Sequence, residues 1–171
     1  MNYCVFETQQ GYVALAGRDG MLSASTLPQP SSEDALSALR AGRNGGGTQD
    51  ALSEAPDGFG DLPDRIKSYF RGETADFSDV PIDLTGFGPF HAAAIRAARS
   101  IPYGAVVSYG DLARMAGSPR AARAAGGAMA SNPAPVIVPC HRVLASGGRI
   151  GGFGAGIEWK RSLLRLEGVD I

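Results

Sequence analysis

The chain has 171 residues, 44% of them apolar, with a net charge of −1, enough to build one ordinary domain or two small ones. Its two cysteines, Cys4 and Cys140, make no disulfide framework, and no apolar run is long enough to span a bilayer or resemble a secretory leader. A reducing, cytoplasmic setting is expected (nuclear in a eukaryote), with no membrane partner. Residues 1–85 carry 6 Lys+Arg against 13 Asp+Glu, whereas residues 86–171 carry 10 against 4. A basic second half suggests that this half alone meets a polyanion; the bland alternative is that the two halves attract each other.

Three short strands are predicted first: Tyr3 to Thr8, Tyr12 to Ala16 and Met21 to Leu27, the last two joined by an Arg18-Asp19-Gly20 hairpin turn. Asp34 to Leu39 has helical spacing. The glycine run Gly45–Gly47 makes residues 40–60 read as a flexible loop that cannot bury enough surface to order itself. Asp61 to Arg71 regains helical spacing through Ile66, Tyr69 and Phe70 and stops at Gly72.

In the second half, Phe87 to Ser100 reads as a helix with Pro89 near its start. Ser108 to Asp111 is a capping-box pattern opening another helix, which stops at Gly117. Ser118 and Pro119 are expected to supply the N-cap and first residue of the next one. Two helices joined by so short a turn form a helix-turn-helix, a unit used to dock on DNA. The second of them offers Arg120, Arg123 and Met129 among alanines and glycines, including Ala121, Ala122 and Gly126. Such a surface suits close approach to a DNA groove or close helix packing.

Val136-Ile137-Val138 is β-branched and apolar and reads as a buried strand, which Pro139 ends by removing a backbone donor. Cys140, His141 and Arg142 follow at the turn. A thiol becomes a good nucleophile as thiolate, and a neighbouring cation or an imidazole base promotes that form. The bland reading of Cys140 is a buried small hydrophobe.

Pro139-Cys140-His141-Arg142-Val143 resembles the active site of the O6-alkylguanine-DNA alkyltransferases, the methylated-DNA–protein-cysteine methyltransferases. The likeness runs in order through Ile101-Pro102-Tyr103-Gly104, Val107-Ser108-Tyr109-Gly110, Ala121-Ala122-Arg123-Ala124, Asn132-Pro133, Gly151-Gly152-Phe153-Gly154 and Leu163 to Gly168. It implies an α+β protein in two domains. Residues 1–85 would be a ribonuclease-H-like domain, a small three-stranded antiparallel sheet with helix. Residues 86–171 would be a helical winged helix-turn-helix domain carrying the active-site cysteine.

The implied activity is single-turnover repair of double-stranded DNA by a monomer bound in the minor groove, without a cofactor. An alkyl group would pass from O6 of guanine to Cys140, with O4 of thymine as a further candidate donor. By resemblance, His141 activates Cys140 through a water, Glu167 orients His141, Asn132 braces the turn and the Tyr109 hydroxyl donates toward ring N3 and stabilises the guanine leaving group. The carbonyls of Cys140 and Val143 and the Gly154 N–H would bind the flipped base, Met129 would cover one face of it, and Arg123 would fill the gap in the stack. Arg142, Ala121, Ala122, Gly126 and Phe153 complete the expected DNA and substrate contacts.

Phe153 stands where many relatives have tyrosine and Ala155 where glycine is frequent, which predicts a narrower pocket. Some relatives carry a structural zinc; with only His91 and His141 available, a four-ligand site is not expected here. A Cys-His hydrolase and a lesion-binding or regulatory winged-helix protein are the rival readings.

Overall fold

The computed structural model describes residues 1–42 and 51–171 and divides the chain into two compact units. The first comprises Met1–Gly86 with Pro133–Pro135, the second Phe87–Asn132 with Val136–Ile171.

In the first unit β1 (Asn2–Thr8), β2 (Gly11–Arg18) and β3 (Met21–Ser25) form an antiparallel meander. Asp19 and Gly20 both have positive φ, 53° and 77°, the twist that lets a two-residue turn continue two right-handed strands. The sheet has a fourth member that the three-stranded expectation lacked. β4 (Ser53–Glu54) pairs in parallel with β1, giving the order β3-β2-β1-β4. The predicted loop therefore contains a strand on its described side, while Gly45–Gly47 lie outside the described residues.

Two helices flank this sheet. α1 (Ser32–Gly42), longer than its predicted core, lays Ala35 and Leu39 on Ala14, Ala16 and Ala24. α2 (Leu62–Phe70) buries Leu62, Ile66, Tyr69 and Phe70. Gly72, at φ 85°, closes it by accepting the left-handed conformation while Glu73 N–H reaches back to Ser68 O at 3.1 Å. Pro133–Pro135, expected in the second domain, belongs to the first unit. Ser25 N–H donates to Pro133 O at 2.9 Å and Ser25 Oγ to Pro135 O at 3.1 Å.

The second unit is built on α3 (Pro89–Arg99), α4 (Tyr109–Met115) and α5 (Ala122–Ala130), packed against one another. Ser108 caps α4 reciprocally: its Oγ accepts from Asp111 N–H at 3.0 Å, and the Asp111 carboxylate accepts from Ser108 N–H at 2.9 Å. α4, the turn at Gly117 and α5 form the helix-turn-helix. Its second helix starts later than Ser118 and Pro119 suggest. Ala121 N–H bonds to Ser118 O at 2.9 Å, so these residues form a separate turn and Ala121 becomes the N-cap. β5 (Val107–Ser108) pairs in parallel with β6 (Val143–Leu144), and α6 (Ile157–Leu166) closes the unit.

The strand expected at Val136–Val138 is absent. These residues are buried, but Val136 has φ 75° and the segment turns there. Prolines at 133, 135 and 139 remove the donors a ladder needs. Local donors serve Val138 O instead: Asn132 Nδ2 at 2.8 Å and Cys140 N–H at 2.8 Å. A left-handed β-branched residue is strained by about 1–3 kcal/mol, and surrounding packing must hold it.

Candidate active site

That turn delivers Cys140 to the start of a short 3-10 turn, Cys140–Arg142, which passes directly into β6. The thiol lies at a cavity of about 310 Å³ lined by Tyr109, Gly126, Met129, Ala130, Cys140, Gly152, Phe153 and Gly154. α4 and α5 supply one wall and the glycine-rich segment after β6 the other. Gly151 is favoured as glycine by its φ of 70°, in the left-handed region; a Cβ there would only reach ordinary contact, 3.4 Å from Ala145 and 3.5 Å from the Tyr109 ring. Ala155 is exposed and outside the lining, so it does not narrow the pocket as expected, whereas Phe153 does line it.

Behind the cysteine lies a buried charge network. His141 Nε2 is 2.6 Å from Glu167 Oε1, and both side chains are fully buried. Arg142 Nε donates to Glu167 Oε2 at 2.9 Å, Nη2 to Oε1 at 3.0 Å and Nη1 to Ile101 O at 2.6 Å. Gly104 N–H adds a bond to Glu167 Oε2 at 3.0 Å. Burial pushes the Glu167 carboxyl up, but the bonds from His141 and Arg142 outweigh it and hold the group at about 2. Burial pushes His141 below its ordinary value despite Glu167, leaving a neutral imidazole at pH 7. With Nε2 donating to the carboxylate, the lone pair sits on Nδ1, the tautomer of a base.

Arg142 thus has a different place from the one expected. It is buried and bonded to Glu167, so it neither reaches DNA nor serves as the cation of the thiol. Burial pushes the Cys140 thiol up, and the Asn132 hydrogen bond and the charge of Lys160 offset this only in part. The resting group is a thiol, which makes a nearby base necessary.

Lys160 has no place in the sequence reading, yet it is fully buried. Its Nζ donates to Val143 O at 2.6 Å and to Gly152 O at 3.3 Å, and lies 5.6 Å from the centre of the Tyr109 ring. A signal was present: Lys160, Leu163, Leu164 and Glu167 recur at i, i+3, i+4 and i+7, so the apolar stripe of α6 holds one charged residue and runs on to a second at its C-cap, Glu167.

The other candidates fall into two groups. Asn132, Tyr109, Met129, Gly126, Phe153 and Gly154 gather around Cys140 as pocket or turn. Val143 O and Cys140 O already accept protein bonds, from Lys160 and from Val143 N–H, and each carbonyl keeps a second acceptor site. Ala121 and Ala122 are half-buried at the start of α5, while Arg123 is exposed with Ala124, Gly127 and Ala130 on an outer face almost free of bulk. Among the described residues, no group of three or more His, Cys, Asp or Glu is placed to hold a metal, and no helix is long and apolar enough to cross a membrane.

A family model described as the 6-O-methylguanine DNA methyltransferase, DNA binding domain, matches residues 89–169. The methylated-DNA–protein-cysteine methyltransferase of Mycolicibacterium paratuberculosis is 35% identical over 167 residues, covering 98% of this chain and 92% of that protein. The chain belongs to the methylated-DNA–protein-cysteine methyltransferase family. The methyltransferase of that name from Mycobacterium tuberculosis is 46% identical over 112 residues, 66% of this chain and 67% of its own. Among solved structures, Mycobacterium tuberculosis OGT in complex with DNA superposes with a TM-score of 0.80 at 34% identity, covering 98% of this chain and 93% of that one. The O6-methylguanine-DNA methyltransferase of Pyrococcus kodakaraensis gives 0.69 at 27% identity, covering 98% and 99%. In this methyltransferase, then, the cysteine motif read from sequence stands at a pocket on a helix-turn-helix, backed by a neutral histidine and a buried carboxylate.

Proposed function

We propose that the protein repairs DNA by moving an alkyl group from O6 of guanine to Sγ of Cys140, acting once, as a cytoplasmic monomer. The observation that carries this reading is the cavity with Cys140 in its lining and the His141–Glu167 pair directly behind it. An O6-alkyl group lies inside the base stack, so the nucleotide must be rotated out into such a pocket. Cys140 attacks the alkyl carbon, the S–C bond forms as the C–O6 bond breaks, and the thiol proton passes through a water to His141 Nδ1. The departing guanine takes a proton from the Tyr109 hydroxyl. A thioether is not cleaved by water, so the protein is consumed, and no cofactor takes part.

With excess O6-methylguanine oligonucleotide, intact-mass measurement is expected to show one methyl group per molecule and then a stop. Continued turnover would instead point to a hydrolase-type cycle.

The low-bulk outer face of α5 fits a minor groove, and Arg123 projects from its first turn. A planar, cationic side chain there fills the gap in the stack. Arg123→Ala is expected to slow repair in duplex by roughly tenfold or more, with alkyl transfer from the free modified base within about twofold. Equal losses on both substrates would remove Arg123 from this role.

A further inference from the structure

The Ile101-Pro102-Tyr103-Gly104 turn lies outside the pocket lining, yet it meets both charged residues of the network behind the cysteine. Its first carbonyl, Ile101 O, accepts from Arg142 Nη1 at 2.6 Å, and its last amide, Gly104 N–H, donates to Glu167 Oε2 at 3.0 Å. Tyr103 stands between them. Its ring lies against Arg142, with the guanidinium carbon 5.8 Å from the ring centre, and its hydroxyl donates to Leu166 O at 3.1 Å.

The hydroxyl contact falls at a helix end, where the last carbonyls have no partner inside the helix. At the end of α6 the N–H groups of Glu167, Gly168 and Val169 turn back to Leu163 O, Arg165 O and Leu164 O. Leu166 O is the carbonyl that Tyr103 takes, from 63 residues away in the chain. The turn also approaches the helix end closely: Gly104 has φ 74°, and a Cβ there would stand 3.1 Å from Glu167 O. Residue 167 is thus held through the carbonyl that precedes it and through its carboxylate.

Resting on the reading of His141 as the base that serves Cys140, we infer that Tyr103 is a positioning residue for alkyl transfer: by holding Leu166 O and covering Arg142 it fixes the seat of Glu167, and with it the tautomer of His141. The two carboxylate oxygens have different partners. Oε1 meets His141 Nε2 at 2.6 Å and Arg142 Nη2 at 3.0 Å, while Oε2 receives Arg142 Nε at 2.9 Å and Gly104 N–H at 3.0 Å. A contact as short as 2.6 Å tolerates little displacement. A helix end free to shift would release the imidazole to carry its proton on Nδ1, the form that cannot accept there.

The test uses the full chain grown with heavy-nitrogen-labelled histidine and read by NMR. His91 and His141 are the two histidines, so His91, on α3, serves as the internal reference. Wild-type His141 is expected as one neutral tautomer, protonated at Nε2. Tyr103→Phe keeps the ring and removes the hydroxyl, and Tyr103→Leu removes both. At neutral pH and saturating O6-methylguanine duplex, methyl transfer is expected to slow roughly three- to tenfold in Tyr103→Phe and further in Tyr103→Leu. Duplex affinity should stay within about twofold of wild type, and the His141 nitrogen signals should move toward a mixture of tautomers. An unchanged transfer rate in both variants would overturn the inference. So would a slowed variant whose His141 signals match the wild type, or one whose loss lies in duplex affinity, because the hydroxyl would then serve packing or docking and not Glu167.

If Tyr103→Leu does not fold, Tyr103→Phe decides, since its ring still fills the space. The wild-type spectrum is a check that needs no variant: His141 protonated at Nδ1 would contradict the inference outright. Failure of the wild-type protein to gain a methyl at Cys140, with His141 in the expected tautomer, would sink the underlying functional reading instead, so the two failures are separable.

Discussion

Glu167→Gln is expected to destabilise the folded protein by roughly 3–5 kcal/mol, because it leaves the buried Arg142 guanidinium without its counter-charge. The same carboxylate receives Gly104 N–H and touches His141, so one substitution disturbs the groups at Ile101–Gly104, the cysteine turn and the end of α6 together. The sign of the pH dependence follows from its lowered value. A carboxyl at about 2 in the fold, against an ordinary 4.5, contributes its full stabilisation above about pH 4.5 and loses it as pH falls toward 2. Urea unfolding of both proteins at pH 7 and pH 3 checks this. The difference between them should be large at pH 7 and smaller at pH 3, and equal midpoints at pH 7 would mean that Arg142 finds another partner.

The activity of folded Glu167→Gln should fall as well, since an amide at 167 no longer selects the His141 tautomer that accepts at Nδ1.

How much of this could be read from the chain depends on whether the signal is local. The Asp19-Gly20 turn, the Ser108–Asp111 capping box and the stop at Gly72 are short-range devices, and the structure has all three. β4 was missed because two residues carry no periodicity; only the edge of β1 makes Ser53–Glu54 a strand. Val136–Val138 misled because β-branched composition reports burial as readily as strand, and the prolines around it decide the backbone. Ser118-Pro119 is a sound N-cap pattern overridden by a tighter turn. Glu167 came only from the resemblance, since adjacency in sequence says nothing of a partner 26 residues away. Lys160 was legible in principle as a charge in an apolar stripe, but that pattern names no chemistry without the two carbonyls it meets.

The second large effect is at Cys140. Cys140→Ala is expected to bind methylated duplex and transfer nothing, because the other cysteine cannot replace it. Cys4 is buried in β1, where burial pushes its thiol up to about 11, so it holds almost no thiolate at neutral pH. Residual transfer in this variant would require a different acceptor and would remove the central role of the pocket.

The most direct measurement is peptide-level mass spectrometry of the wild-type protein after exposure to an O6-methylguanine duplex. A single methyl group on the sulfur of Cys140, with Cys4 unmodified, is the result predicted here. A methyl group on Cys4 or elsewhere, or methylated DNA consumed with Cys140 unmodified, would contradict it.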